Sequence, residues 1–216
     1  MTPPTYVLWD WNGTLLDDTD AAVETLNLMR ERRGLGRIEK AYYRNCFAFP
    51  VKPFYESLGL WRPGEDWDAL AQAYHDIYYR QAFALNRETF DALRLVRELG
   101  AGQSIISALR QDLLERDTAR FGVAPYMDSI YGVDNLDGRS KLDRARELLA
   151  HLDADGVPRA SLALIGDSLH DKEVADALGV RIVFCAQGSH AGGRLRAVGP
   201  TGDTLLDAVR IALEGN

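Results

Sequence analysis

The sequence has few cysteines and no long hydrophobic run. Cys46 and Cys185 are far apart and show neither zinc-ligand spacing nor a redox pair, so we expect free thiols in a reducing compartment. No stretch approaches the roughly 20 apolar residues of a membrane-spanning helix, and the segment before the first apolar run lacks the features of a secretory leader. We therefore expect a cytoplasmic protein without a membrane partner.

An excess of positive charge is also missing. The formal net charge is −7, and lysine and arginine form no run. Sequence-independent binding to nucleic acid requires a basic surface, so we expect no nucleic-acid partner. A phosphate group would have to be bound by individual side chains, and the four lysines are candidates for that role. These lysines are Lys40, Lys52, Lys141 and Lys172.

Length and hydrophobic pattern together predict a core with an inserted segment. The 216 residues are 46% hydrophobic, which is enough for one real core and a small accessory domain. The continuous apolar run at 6–9 predicts a strand buried on both faces, ended by a turn at 10–13. From about 20 to 85 the apolar residues follow a helical period. We therefore predict an α/β core from 1–16 and 87–216, and an all-helical cap from 17–86.

Strands and helices alternate after residue 86. Apolar segments at 103–106, 129–131, 161–165 and 181–185 predict strands, and Ser140 is the predicted N-cap of a helix that begins nearby. This alternation predicts a Rossmann-like parallel sheet covered on both faces. Ligands of such sheets bind beyond the carboxyl ends of the strands, which is where Asp10, Ser107 and Asp167 are expected.

The two aspartates at strand ends predict a metal site. Asp10 and Asp167 would repel each other at one sheet edge unless a cation or proton lies between them. Mg²⁺ prefers oxygen ligands, so we expect it to bind Asp10, Asp167 and a backbone carbonyl near Asn12. Asp171 lies one helical turn after Asp167 and is expected to face the same way.

Four short motifs stand at the ends of the predicted elements. They are Asp10-Trp11-Asn12-Gly13-Thr14, Ser107, Lys141, and Gly166-Asp167-Ser168-Leu169-His170-Asp171. In this order they resemble the four motifs of haloacid-dehalogenase-like phosphatases, in particular those similar to phosphoglycolate phosphatase. The resemblance implies a parallel core with a helical cap inserted after the first motif. It also implies an Mg²⁺-dependent phosphatase that acts on a small phosphorylated metabolite.

The resemblance also implies roles for individual residues. Asp10 would attack phosphorus and form an aspartyl-phosphate. Ser107, with the neighbouring Ala108, and Lys141 would bind the transferring phosphoryl group. Thr14 would orient Asp10. The implied metal ligands are Asp10, Asn12, Asp167 and Asp171.

Asn12 departs from the family pattern, which usually has an aspartate here that protonates the leaving group and activates water. An amide cannot do this, and general acid–base catalysis is typically worth about 10²–10⁴ in rate. The substrate therefore has a good leaving group, or water or a cap residue supplies the proton, or the protein binds phosphate without efficient turnover. The last outcome makes a phosphate-ligand sensor or regulatory protein the alternative hypothesis.

Some residues have simpler interpretations. Asp10 precedes a common turn sequence, Ser107 could be a helix N-cap, and Lys141 could be an exposed lysine. Lys52 is a candidate for binding a substrate anion, although a solvated lysine explains it as well. The sequence is compatible with a monomer or a homodimer.

Overall fold

The protein is built on a six-stranded parallel sheet, with the strands in the spatial order Ser129–Val133, Gly102–Arg110, Tyr6–Trp9, Leu162–Gly166, Arg181–Cys185 and Thr201–Gly202. The computed structural model describes residues 5–134 and 141–214, so Ser140 lies outside the described residues. In chain order the strands are β1 (Tyr6–Trp9), β2 (Leu16–Asp17), β3 (Ala84–Leu85), β4 (Gly102–Arg110), β5 (Ser129–Val133), β6 (Leu162–Gly166), β7 (Arg181–Cys185) and β8 (Thr201–Gly202). The predicted α/β, Rossmann-like core is confirmed.

Ten helices accompany the strands in the described ranges. They are α1 (Thr19–Glu31), α2 (Lys40–Cys46), α3 (Val51–Ser57), α4 (Trp67–Tyr78), α5 (Thr89–Glu98), α6 (Gln111–Arg120), α7 (Lys141–Ala154), α8 (Leu169–Leu178), α9 (Gly192–Arg196) and α10 (Leu205–Glu214). No helix within the described ranges is both long enough and apolar enough to cross a membrane. Both cysteines are free thiols.

The central strand β1 is buried on both faces, as its continuous apolar run requires. Val7 and Trp9 belong to the hydrophobic core on one side of the sheet, whereas Tyr6 and Leu8 belong to the core on the other. This division follows from the alternation of side chains along a strand. Pairing with β4 and β6 on either side fixes the carboxyl end of β1 between two neighbours.

Helices α1 to α4 enclose a third hydrophobic cluster. Its members include Leu26, Tyr43, Phe54, Tyr55, Leu58, Leu60 and Trp67. The chain enters and leaves this segment through β2 and β3, which pair antiparallel with Leu16 opposite Leu85. The helical pattern did not predict this short two-stranded pairing at the base of the segment. The outgoing strand β2 and the returning strand β3 lie side by side, so their backbone N–H and C=O groups can hydrogen-bond to each other.

Strand β4 also differs from the prediction, because it continues past Ser107 to Arg110. Its pairing with β5 shifts register between Ile106 and Arg110. Such an irregularity bends the strand and redirects its side chains. Helix α6 follows directly and begins at Gln111.

Candidate active site

Three buried carboxylates meet at the carboxyl edge of the sheet. Asp10 follows β1, and its backbone N–H donates to the carbonyl of Ile165 in β6 at 2.9 Å. This pairing places Asp10 next to Asp167, which follows β6. Asp10, Asp167 and Asp171 each offer a carboxylate oxygen, and these oxygens lie within 4.8 Å of one another. The structure thus brings together the three side chains that the sequence placed at one edge.

Lys141 neutralises part of this acidic cluster. It is the first residue of α7, its side chain is 2% exposed, and its Nζ lies 2.5 Å from Asp10 Oδ1 and 2.6 Å from Asp171 Oδ1. Burial alone would favour the neutral amine, but the two carboxylates raise the pKa of Lys141. Lys141 is therefore a charged residue inside the site and not an exposed lysine.

Asp171 is held in place through both of its oxygens. Oδ1 accepts from Lys141, and Oδ2 accepts from the Ser168 backbone N–H at 3.0 Å and its hydroxyl at 2.7 Å. The bond from the Ser168 backbone N–H, together with the Asp171 backbone N–H that donates to the Ser168 hydroxyl oxygen at 3.4 Å, forms a capping box at the start of α8. Although burial works against the charge, Lys141 lowers the pKa of Asp171. Asp171 is thus a fixed carboxylate that orients the lysine.

Asp167 is anchored by the loop after β7. Its Oδ2 accepts from the backbone N–H of Ser189 at 2.5 Å and from the Ser189 hydroxyl at 2.6 Å. Burial, reinforced by Asp171, raises the pKa of Asp167 to about 7. A Cβ added at Gly188 would lie 2.2 Å from Asp167 Oδ2, so only glycine allows this approach. Ser189 was not among the predicted site residues, although it follows a predicted strand of the parallel sheet.

His190 completes this loop and was also missed. It is 1% exposed, and its Nδ1 accepts from the Leu169 backbone N–H at 3.0 Å. Burial lowers the pKa of His190 to about 4, so the ring is neutral near pH 7 and remains an acceptor. His190 therefore fixes the first residue of α8, the helix that carries Asp171.

Asp10 keeps one oxygen with little protein contact. Among the described residues its Oδ2 has a hydrogen-bond contact only with the Thr14 hydroxyl, at a long 3.5 Å, and the same hydroxyl lies 3.4 Å from Asp167 Oδ1. Burial raises the pKa of Asp10 well above its usual range, and Lys141 opposes this shift. Gly13, at φ 77°, allows Asp167 to pack against the turn, because a Cβ there would lie 2.2 Å from Asp167 Oδ2.

The cluster has the chemistry of a site for a hard divalent cation. It contains three buried carboxylates but one ammonium group, so a further positive charge would relieve their repulsion. All the donors are oxygens, which suits Mg²⁺. Asp10 Oδ2 and Asp167 Oδ1 are the carboxylate oxygens least engaged with the protein. The residues present therefore fit the metal that the sequence predicted.

Asn12 points toward a fourth buried carboxylate. Its Nδ2 donates to Asp18 Oδ2 at 2.8 Å and lies 3.3 Å from the Tyr78 hydroxyl. Asp18 also accepts from the Tyr78 hydroxyl at 2.6 Å and from the Gly13 N–H at 2.8 Å. These bonds tie the first motif to α4. Asp18 was not among the predicted site residues.

Ser107 and Ala108 line the same cavity as the carboxylates, whereas Lys52 does not. Ser107 is 1% exposed, and its hydroxyl accepts from the Leu109 backbone N–H at 3.0 Å. The ammonium of Lys52 instead lies 4.9 Å from the ring centroid of Trp67 and 5.7 Å from that of Trp61. These indole rings attract the ammonium, and the contact of Lys52 with a substrate anion stays a prediction.

The cavity above the carboxylates has a volume of about 170 Å³. Its floor contains Asp10, Lys141, Asp167 and Ser107. Its other walls come largely from the α1–α4 segment and are rich in aromatic side chains. These are Tyr43, Phe47, Phe49, Tyr55, Trp67, Tyr74 and Tyr78. A charged floor and an apolar upper part thus share one space.

Comparison with known proteins agrees with this architecture. The chain is 25% identical over 220 residues to a 5'-nucleotidase from Pseudomonas aeruginosa, covering 97% of this chain and 96% of that protein. Its fold resembles Protein Tyrosine Kinase A of Mycobacterium tuberculosis, with a TM-score of 0.79, 23% identity and 99% coverage of both chains. It also resembles a predicted phosphoglycolate phosphatase from Haemophilus somnus, with a TM-score of 0.74, 14% identity and coverage of 98% and 99%.

The family comparison covers most of the chain. The family model described as "Haloacid dehalogenase-like hydrolase" matches residues 7–185, a range that includes all four motifs and the carboxylate cluster. The chain therefore belongs to the haloacid dehalogenase-like hydrolase family.

Proposed function

We propose that this protein is an Mg²⁺-dependent phosphatase that cleaves small phosphorylated metabolites through an aspartyl-phosphate. The observation that carries the proposal is the floor of the cavity, where the free oxygen of Asp10 lies beside the buried ammonium of Lys141. Family membership supports hydrolysis, and the nucleotidase relative supports a phosphate ester as substrate.

Asp10 acts as the nucleophile in this proposal. Its Oδ2 attacks phosphorus, an Asp10–phosphorus bond forms, and the ester oxygen leaves with the bonding electrons. Water then attacks the aspartyl-phosphate, which releases inorganic phosphate and restores the carboxylate. Lys141 balances charge on the transferring group, and the Ser107 hydroxyl donates a hydrogen bond to one of its oxygens.

The proposed metal ligands are Asp10, Asp167 and the backbone carbonyl of Asn12. These groups would hold Mg²⁺, which would supply positive charge to balance the phosphoryl group. Asp171 was predicted as a ligand, but both of its oxygens already accept hydrogen bonds. We therefore propose that Asp171 positions Lys141, while Asp167 holds the metal from its anchor on Ser189.

The α1–α4 segment is proposed to act as the cap. Its aromatic side chains form the upper wall of the cavity, and Tyr78 in α4 bonds to Asn12 and Asp18 beside the first motif. A cap in this position excludes bulk water from the phosphoryl group, which strengthens the electrostatic interactions inside the site. The enclosed volume suits a small substrate.

Thermal unfolding tests the metal site. We expect Mg²⁺ at about 100 times its Kd to stabilise the fold by about 2.7 kcal/mol, because it binds the folded state alone. The variant D167N should lose this gain. The control D176N changes an aspartate on α8 that pairs with Lys172, and it should keep the gain. An Mg²⁺ effect that survives D167N would contradict the proposed ligand set.

The amide at position 12 favours a second candidate, the phosphate-ligand sensor. Asn12 donates to Asp18 and Tyr78 and has no carboxyl group to protonate a leaving group. Tight Mg²⁺-dependent binding of a phosphorylated ligand without steady-state turnover would support the sensor. Measurable turnover that depends on Asp10 would reject it.

The variant N12D tests whether the absence of a carboxyl group at position 12 limits turnover. We expect kcat for esters with poor leaving groups to rise by up to about 10²-fold, because a carboxylic acid can protonate the departing oxygen. Acetyl phosphate, whose leaving group needs little protonation, serves as the matched substrate and should gain much less. An equal change for both substrates, with Mg²⁺ binding intact, would count against this account of Asn12.

A further inference from the structure

The charged side chains that line the cavity can accommodate one anionic group of a substrate. Among the described residues that line it, Lys141 is the one lysine or arginine, and Asp10 and Asp171 already bind it. Asp18 adds a buried carboxylate on the side of α4. The floor can accept a phosphoryl group beside Lys141, but the upper part offers no cation for a second anionic group.

A neighbouring groove does not supply that cation. It meets the cavity at His75 and contains Arg80, Arg110 and Arg116. Arg110 is paired with Asp112, and Arg116 is paired with Asp117. These arginines line a separate groove and are absent from the described lining of the cavity itself.

Aromatic rings run from the upper wall down to the floor. The Phe47 ring lies 5.3 Å from that of Phe49, and Phe49 stacks on His170 with centroids 4.6 Å apart and an angle of 23°. His170 immediately precedes Asp171 in α8. Phe49 is half-buried, so part of its ring faces the open space.

A second row of rings descends from α4. Tyr74 stacks on Tyr78 with centroids 5.8 Å apart, and the hydroxyl of Tyr78 bonds to Asp18 beside Asn12. Both rows line the same cavity as Lys141 and the carboxylates. Flat rings gain contact area and favourable stacked or edge-to-face geometry between such walls.

We infer that the organic part of the substrate is uncharged and carries an aromatic ring that lies between the Phe49 and Tyr74 walls while its phosphate meets Lys141. This inference rests on the proposed function. Aryl phosphates and nucleoside 5'-monophosphates both combine a phosphate ester with an uncharged organic part that carries an aromatic ring. In either case the ester and one water give inorganic phosphate and the aromatic alcohol. A small ester with a carboxylate, such as 2-phosphoglycolate, would place its second charge where no cation lines the wall.

Matched substrates test the charge. Phenyl phosphate and 4-carboxyphenyl phosphate have the same ring and similar leaving groups, but the second carries an extra anion. We expect kcat/KM for phenyl phosphate to be at least about tenfold higher, mainly through KM, because the carboxylate loses water without gaining a partner. Equal values, or faster cleavage of 4-carboxyphenyl phosphate or 2-phosphoglycolate, would overturn the inference. Adenosine and cytidine 5'-monophosphates in the same assay show whether nucleotides or aryl phosphates are the better substrates.

Acetyl phosphate separates failure of the inference from failure of the proposed function. It has no ring and needs no leaving-group acid. If it is hydrolysed with Mg²⁺ while ring-bearing esters are no better than 2-phosphoglycolate, the function stands and the inference fails. If no substrate releases phosphate, both fail.

Variants at Phe49 test the wall directly. F49L keeps an apolar side chain but removes the ring face, so KM for phenyl phosphate should rise by about tenfold with little change for acetyl phosphate. The control Y42L removes a ring that is 46% exposed on α2, outside the described lining of the cavity, and should change neither. F49R supplies the missing cation and should shift preference toward 4-carboxyphenyl phosphate. If F49L and F49R both leave the preference unaltered while remaining folded, the ring does not lie against Phe49.

Discussion

Replacing Asp10 by asparagine is expected to lower kcat by at least about 10³-fold for every substrate, because loss of a nucleophile removes the covalent route. The amide is nearly the same size as the carboxylate and can still meet Lys141. Asp171 keeps the lysine paired, and one of three crowded carboxylates loses its charge. D10N should therefore be folded and at least as stable as the parent protein without metal.

Two measurements distinguish this chemical effect from damage to the fold. Phosphate release with Mg²⁺ gives the rate, and thermal unfolding without Mg²⁺ gives the stability. The control D112N changes an exposed aspartate that pairs with Arg110, and it should retain activity. Activity of D10N within a few-fold of the parent protein would show that another group attacks phosphorus.

Replacing Lys141 by methionine is expected to cost both stability and turnover. The side chain is 2% exposed and is the partner of Asp10 and Asp171. Removing one partner of a buried ion pair leaves uncompensated charge, which typically costs about 3–5 kcal/mol of the free energy of unfolding. Turnover should fall as well, because no ammonium remains to balance the transferring phosphoryl group.

Denaturant unfolding with and without Mg²⁺ checks this second prediction. Mg²⁺ should recover part of the lost stability of K141M, since it supplies positive charge to the same carboxylates, but it should not restore the rate. K172M serves as the control, because Lys172 pairs with Asp176 on the outside of α8. Equal losses in K141M and K172M would contradict the buried role of Lys141.

The sequence predicts the positions of the site's aspartates because these residues lie at the ends of strands. The apolar runs before Asp10 and Asp167 are long enough to specify buried parallel strands, and the carboxyl ends of such strands meet at one edge. The role of Lys141 is predicted only by the family resemblance, since a single lysine produces no periodic pattern in the sequence. Its burial and its two partners emerge only when α7 packs against the sheet.

Other parts of the site depend on contacts between distant segments. Ser189 binds Asp167 across 22 positions of sequence, and Tyr78 reaches Asp18 across 60. No local pattern encodes such pairs. The position of Lys52 over Trp67 likewise depends on tertiary packing, which its charge alone does not predict. The cap boundary at 17–86 and the catalytic roles remain proposals.

Trapping the covalent intermediate tests the central claim most directly. The protein is mixed with phosphate-labelled acetyl phosphate and Mg²⁺, quenched in acid within one turnover and cleaved into peptides that are sequenced by mass spectrometry. We predict label on Asp10, no label when a chelator replaces Mg²⁺, and no label in D10N. Label on a different residue, or steady turnover with no labelled protein at any time point, would contradict nucleophilic attack by Asp10.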